Sequence, residues 1–270
     1  MPTLRMGERD VVEYDDRGAG PLIVLVHGSP GTSRAWQAVG ERLASRFRVI
    51  APNLPGAGGS TRRADETRTD NSPAAEAIEA VIAEVGQPAV LAGHSHGGVV
   101  ALMTALRGKV RPAALALFEP VAVPILELVG DTEAYASAKA RFDEYIAAFE
   151  GGDRLAARLM IDYWFGRGAF ERLPEPMREF FVGQTEPNVR DVRATFQDRY
   201  SIDALRTLAM PVLVVYGSRS PETTGRIARA LAAQCPRGET ATLAKADHAM
   251  TTTQPDAVAA LIADLADRSA

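Results

Sequence analysis

Short runs of consecutive apolar residues alternate with longer segments whose apolar residues recur every three or four positions, and this alternation occupies most of the 270 residues. The runs at 22–26 and 211–216 are apolar at almost every position, as strands buried on both faces must be, and 11–14, 48–51, 113–118 and 240–243 also read as strands. Between them, 33–45, 73–85, 225–234 and 256–267 carry the helical period. Ser72 and Pro73 predict the start of the 73–85 helix, with serine at the N-cap and proline in the first helical position. Another strand, 88–92, leads through Gly93-His94-Ser95-His96-Gly97 into an apolar helix beginning at Gly98-Val99-Val100. Strand and helix alternating in this way predict an α/β fold, a mostly parallel, doubly wound sheet with helices on both faces.

From 121 to about 209 the strand signal disappears. Tyr135, Ala138, Phe142, Tyr145 and Phe149 repeat at helical steps until Gly151-Gly152, and Leu155, Leu159, Met160 and Tyr163 share one face of the next helix. The expected organisation is a core made of 1–120 and 210–270, with an inserted helical cap at 121–209.

Composition narrows the function classes. Hydrophobic residues make up 46% and charged residues 24%, as in an ordinary soluble globular protein. The net charge of −4 gives no basic field for nucleic acid or an anionic membrane, and Arg62-Arg63 is the nearest approach to a basic cluster. Cys235 is the single cysteine, so no intrachain disulfide forms, and Met1-Pro2-Thr3-Leu4-Arg5 lacks the apolar core of a signal peptide. No apolar stretch is long enough to span a bilayer. The expectation is a cytoplasmic protein whose partner is a small molecule.

The candidate chemistry centres on Ser95. A serine between two glycines on a strand-to-helix turn projects its hydroxyl from the edge of a sheet, which suits a nucleophile. A neutral serine needs a base, and the base needs a third group to hold its tautomer. Of the four histidines, His248 follows the last predicted strand, at the carboxyl edge where Ser95 also falls. His27-Gly28-Ser29-Pro30-Gly31 follows the strand at 22–26. It offers the backbone N–H of Ser29 as one oxyanion donor, the N–H of His96 being the other, with His27 structural. No His, Cys, Asp and Glu grouping has metal-ligand spacing, no G-K-[ST] ending marks a phosphate loop, and no cofactor is expected.

Taken together, Val26-His27-Gly28-Ser29-Pro30-Gly31, Asn53-Leu54-Pro55-Gly56-Ala57-Gly58-Gly59-Ser60, the pentapeptide at Ser95 and the late His248 resemble the α/β-hydrolase superfamily, almost end to end. Asn53 stands where the family usually has a structural aspartate. The family also most often places its acid three residues after the glycine that ends the 211–216 strand, and here that residue is Ser220. In a minority of the superfamily the acid follows the preceding strand instead, which points to Glu119 in Leu117-Phe118-Glu119-Pro120, with Glu222 and Asp247 in reserve. Ser95 where dehalogenases and epoxide hydrolases need a carboxylate argues against those activities.

The resemblance implies a capped serine hydrolase that cleaves an ester, thioester or lactone of a small, mainly apolar substrate through an acyl-enzyme. Two alternatives stand beside it: carbon–carbon bond or amide hydrolysis by the same residues, and a small-ligand-binding protein without catalysis, which the serine at 220 would suit. Trp164, in the aromatic run Tyr163-Trp164-Phe165, either walls the substrate pocket over Ser95 or packs the cap onto the core.

Overall fold

In the computed structural model, residues 1–6, 10–62, 66–86 and 89–269 are described. Pro88, assigned above to the strand before Ser95, and Arg63 of the basic pair lie outside them. Eight strands form one sheet: β1 (Thr3–Met6), β2 (Asp10–Arg17), β3 (Leu22–Val26), β4 (Arg48–Pro52), β5 (Ala89–His94), β6 (Ala114–Phe118), β7 (Val212–Gly217) and β8 (Gly238–Leu243). Their spatial order is β1-β2-β4-β3-β5-β6-β7-β8. The pairs β1–β2 and β2–β4 are antiparallel and the rest are parallel. The expected α/β fold with its mostly parallel, doubly wound sheet is therefore the observed one.

The uniformly apolar strands have a direct explanation in the packing. Leu22, Val24 and Val26 of β3 face one hydrophobic cluster while Ile23 and Leu25 face another on the opposite side of the sheet. All five are at most 1% exposed, so no position can be polar. Full burial of each such side chain is worth about 1.5–3 kcal/mol, enough to commit the segment to the sheet interior.

Flanking the sheet, in chain order, are α1 (Gln37–Leu43), α2 (Ser72–Val85) and α3 (His96–Arg107). Between β6 and β7 come α4 (Pro124–Leu128), α5 (Thr132–Glu150), α6 (Ala157–Phe165), α7 (Ala169–Arg172), α8 (Glu175–Gly183), α9 (Thr185–Gln197) and α10 (Ile202–Arg206). After β7 come α11 (Glu222–Gln234), α12 (Met250–Thr253) and α13 (Pro255–Asp267). Phe142 of α5 holds the inserted helices together, its ring centroid 5.9 Å from Tyr163, 6.5 Å from Trp164 and 5.7 Å from Phe196.

Two local expectations change. Ser72 lies inside α2, and Asn71 takes the N-cap position. The Ser72 N–H is satisfied by Asp70 Oδ1 at 3.0 Å, while the Asn71 side chain is engaged elsewhere. The expected helix at 33–45 begins as a 3-10 turn, Ser33–Trp36, before α1. Among the described residues, no helix is long and apolar enough to cross a membrane, and no group of three metal-ligating side chains is assembled.

Candidate active site

Four loops leave the carboxyl ends of parallel strands and meet at one edge of the sheet: after β3 at Gly28, after β5 at Ser95, after β6 at Glu119 and after β8 at His248. Open parallel sheets characteristically assemble their sites at that edge.

Ser95 occupies φ 55°, ψ −124°, outside the regions an ordinary L-residue prefers. Its amide bonds to the Phe118 carbonyl at 2.9 Å and its own carbonyl receives the Gly98 N–H at 3.0 Å, so both ends of the tight turn are tied down. The flanking glycines make this possible. A Cβ on Gly97 would stand 2.3 Å from the His27 carbonyl oxygen, and one on Gly93 would stand 2.2 Å from that of Gly97. Helix α3 can approach the β3 loop only without side chains there.

Ser95 Oγ lies 3.0 Å from His248 Nε2, and His248 Nδ1 lies 2.6 Å from Glu119 Oε2. With Nδ1–H donating to the carboxylate, Nε2 is left to accept the serine proton. The Glu119 side chain is 0% exposed, and its other oxygen accepts the Gly217 N–H at 2.7 Å. Burial, the largest single influence on this carboxyl, pushes its pKa up. The hydrogen bonds and charge of His248, with Ser220 and the Gly217 N–H, outweigh it and hold Glu119 below the usual glutamate range. The Ser220 hydroxyl is close enough to favour that charge, although it meets no acceptor at hydrogen-bonding geometry. Glu119, like Ser95, has a positive φ, 44°.

The reserve carboxylates are not part of this chain of bonds. Asp247 Oδ1 accepts the Ala249 N–H at 3.0 Å, and the Glu222 side chain is 83% exposed beside Arg226.

The Gly28–Ser29 loop lies directly against Ser95, since a Cβ on Gly28 would be 3.0 Å from Ser95 Cβ. The N–H groups of Ser29 and His96 donate to no acceptor among the described residues. His27 locks the loop from behind, its Nδ1–H donating to the Gly28 carbonyl at 2.8 Å and its Nε2 accepting the Leu54 N–H at 3.0 Å. Desolvation by burial lowers its pKa to about 4, so the ring is neutral, as this bonding requires. Asn53 Oδ1 accepts the Ser33 N–H at 2.7 Å while its Nδ2 donates to Glu13 Oε2 at 2.8 Å. That pairing accounts for asparagine at this position, because an aspartate would face Glu13 with like charge.

His94, one of the histidines passed over in favour of His248 as the base, donates its Nε2–H to the His248 carbonyl at 2.8 Å, and its ring lies 4.9 Å from the His248 ring. Burial lowers the His94 pKa to about 3 and keeps it neutral. Only its place beside Ser95 hinted at a role. Trp164, at the end of α6, lies flat on His248, with centroids 3.7 Å apart and planes at 7°. It therefore covers the imidazole face, and Ser95 and His248 are left only 6% and 7% exposed. A wide cleft touches Gly28, Ser29, His96 and Asp191 but not Ser95 or His248.

A family model described as "Alpha/beta hydrolase family" matches residues 23–261. The chain is 30% identical over 258 residues to a pimeloyl-[acyl-carrier protein] methyl ester esterase of Stenotrophomonas maltophilia, covering 93% of this chain and 95% of that one. It is 24% identical over 259 residues to an (E)-2-((N-methylformamido)methylene)succinate hydrolase of Acinetobacter baylyi, covering 95% and 94%. Among solved structures, a thermophilic esterase from Thermogutta terrifontis superposes with a TM-score of 0.74 at 25% identity, over 99% of this chain and 97% of that one.

Proposed function

The chain belongs to the alpha/beta hydrolase family, and from that premise we propose that it is a serine esterase acting on a small, mainly apolar ester, thioester or lactone. The observation that carries the reading is the unbroken chain from Ser95 Oγ through His248 to the buried Glu119. Esterases of similar length among its relatives support the reaction class.

In this mechanism Ser95 Oγ attacks the substrate carbonyl while His248 Nε2 takes its proton. Glu119 keeps Nδ1 protonated and stabilises the imidazolium that forms. Oxyanion charge develops at the N–H groups of Ser29 and His96, which have no other acceptor among the described residues to surrender. The imidazolium then returns its proton to the departing alcohol or thiol, leaving an acyl-Ser95. Water, deprotonated by His248, attacks the acyl carbon and releases the acid. The helices of 121–209 act as a cap, with Trp164 covering His248 and offering its ring edge as an apolar wall to the substrate. The ligand-binding alternative rested on serine at 220, and the bond from His248 to Glu119 removes that support.

The test is a panel of p-nitrophenyl esters of increasing chain length. Wild type should hydrolyse the short members and Ser95→Ala should lose roughly 10⁴-fold or more in kcat with its circular dichroism unchanged. Undiminished turnover by Ser95→Ala would exclude the proposal.

A further inference from the structure

Helix α9 and its C-cap residue, far from Ser95 in sequence, are linked by side-chain hydrogen bonds to both residues whose amides are assigned above to the oxyanion. Ser29 Oγ donates to Asp191 Oδ2 at 2.6 Å and accepts Asn188 Nδ2–H at 3.1 Å. Asn188 is itself fixed, because its Oδ1 accepts the Tyr145 hydroxyl at 2.9 Å. At the C-terminal end of α9, Asp198 accepts the Asn71 backbone N–H at 2.9 Å on one oxygen and Asn71 Nδ2–H at 2.7 Å on the other. Asn71 Oδ1 in turn receives His96 Nε2–H at 2.7 Å. The Tyr145 hydroxyl also approaches the Thr185 carbonyl at 3.4 Å, and Asp191 Oδ1 receives Arg62 at 3.5 Å. Asn71, His96 and Asp198 are buried to 9% exposure or less, so water does not compete for the bonds of the second chain, while Ser29 and Asp191 are half-buried at the cleft.

We propose that Asp191 and Asp198 of the insertion are positioning residues that set the oxyanion hole, Asp191 by orienting Ser29 and Asp198 by orienting His96 through Asn71. The inference rests on the serine esterase reading. Its physical content is that an oxyanion donor stabilises the transition state only when aimed at the developing charge, and each of these peptides is aimed by a side chain pinned from the same helix. The insertion then assembles the hydrolytic machinery as well as covering it. Neither aspartate touches Ser95, His248 or Glu119 through any hydrogen bond, so neither serves in the proton relay.

Kinetics on p-nitrophenyl butyrate, with phenylboronic acid as a tetrahedral analogue, test this. Removing a whole oxyanion donor costs about 10²–10³ in kcat, so misaiming one in Asp191→Ala should cost about 10- to 100-fold, with KM within about twofold. Phenylboronic acid should weaken in parallel, and Asp191→Asn, which keeps an acceptor for Ser29, should recover most of the loss. Asp198→Asn should show the same split between kcat and KM, and provides the second arm if Asp198→Ala does not fold. Arg190→Ala, on the exposed face of α9, should match wild type. A lowered melting temperature with kcat and boronic acid affinity unchanged would make the aspartates purely structural and overturn the proposal, as would a raised KM with kcat unchanged. If Ser95→Ala keeps its turnover, the esterase reading itself fails and the inference goes with it.

Discussion

Replacing Glu119 by Gln keeps the side chain's size and removes its charge, and the geometry dictates the consequence. One oxygen accepts the Gly217 N–H at 2.7 Å and the other accepts His248 Nδ1–H at 2.6 Å. A glutamine can satisfy only one of these donors with its carbonyl. Gly217 belongs to the sheet and cannot turn away, so the amide NH₂ faces His248 and drives the imidazole to the tautomer with its proton on Nε2. That tautomer cannot accept from Ser95. The imidazolium also loses its counter-charge in a site where the carboxylate is 0% exposed. An acid-position change of this kind costs about 10³–10⁴ in kcat, or about 4–5.5 kcal/mol. Hydrolysis of p-nitrophenyl butyrate at one pH, with folding checked by circular dichroism, measures it. Glu222→Gln and Asp247→Asn should stay within about tenfold of wild type. Ser220 lies close enough to Glu119 to influence its charge, so Glu119→Gln with Ser220→Asp should regain part of the rate. A Glu119→Gln variant within tenfold of wild type, with a collapse in Asp247→Asn or Glu222→Gln, would refute the reasoning.

Acid should destabilise the protein through its buried neutral histidines. The pKa values of His27 and His94 are lowered to about 4 and about 3, so their stabilisation is complete above the ordinary 6.5 and is lost as pH falls below it. By pH 4.5 the two together cost about 5 kcal/mol, and a urea midpoint unchanged between pH 7 and 4.5 would contradict this. Asp198 has the opposite sign, because burial raises its pKa to about 6 and its contribution falls as pH rises from about 4 through 6. The stability cost of Asp198→Asn should therefore be smaller at pH 7.5 than at pH 5, by about 1.5 kcal/mol in paired urea titrations, and an equal cost at both would show that the carboxyl is not desolvated. Gly97→Ala drives a Cβ to within 2.3 Å of backbone and should cost about 3 kcal/mol or more, whereas Gly183→Ala meets nothing within 4 Å and should be neutral or slightly stabilising in thermal melts.

The sheet was legible because its central strands are buried on both faces and leave no freedom of composition, as β3 illustrates. By contrast β1 was not, since Thr3–Met6 is a short edge strand whose alternating exposure leaves only two half-buried positions to signal it. The misplacement of Ser72 has a tertiary origin, because Asp70 and Asp198 divide the duties of a cap between them. Within the candidate site, Ser95 and His248 were picked out from local motifs, and Glu119 from the family resemblance applied to the strand it follows. Asp191 and Asp198 left no such mark. They meet Ser29 and Asn71 across more than a hundred residues, and on α9 alone they look like ordinary helix-surface and helix-end acids. Trp164 was weighed as a pocket wall or a packing residue, but the flat stack on His248 depends on how α6 crosses the sheet edge, which its own sequence does not encode.

Covalent capture tests the central claim most directly. Wild-type protein treated with a fluorophosphonate and analysed by intact-mass and peptide mass spectrometry should gain one adduct, on Ser95, with hydrolysis lost in proportion to labelling. Ser95→Ala should remain unmodified, and His248→Gln should label far more slowly because the serine has lost its base. Ester hydrolysis that persists in fully labelled protein, or an adduct on a residue other than Ser95, would contradict the account.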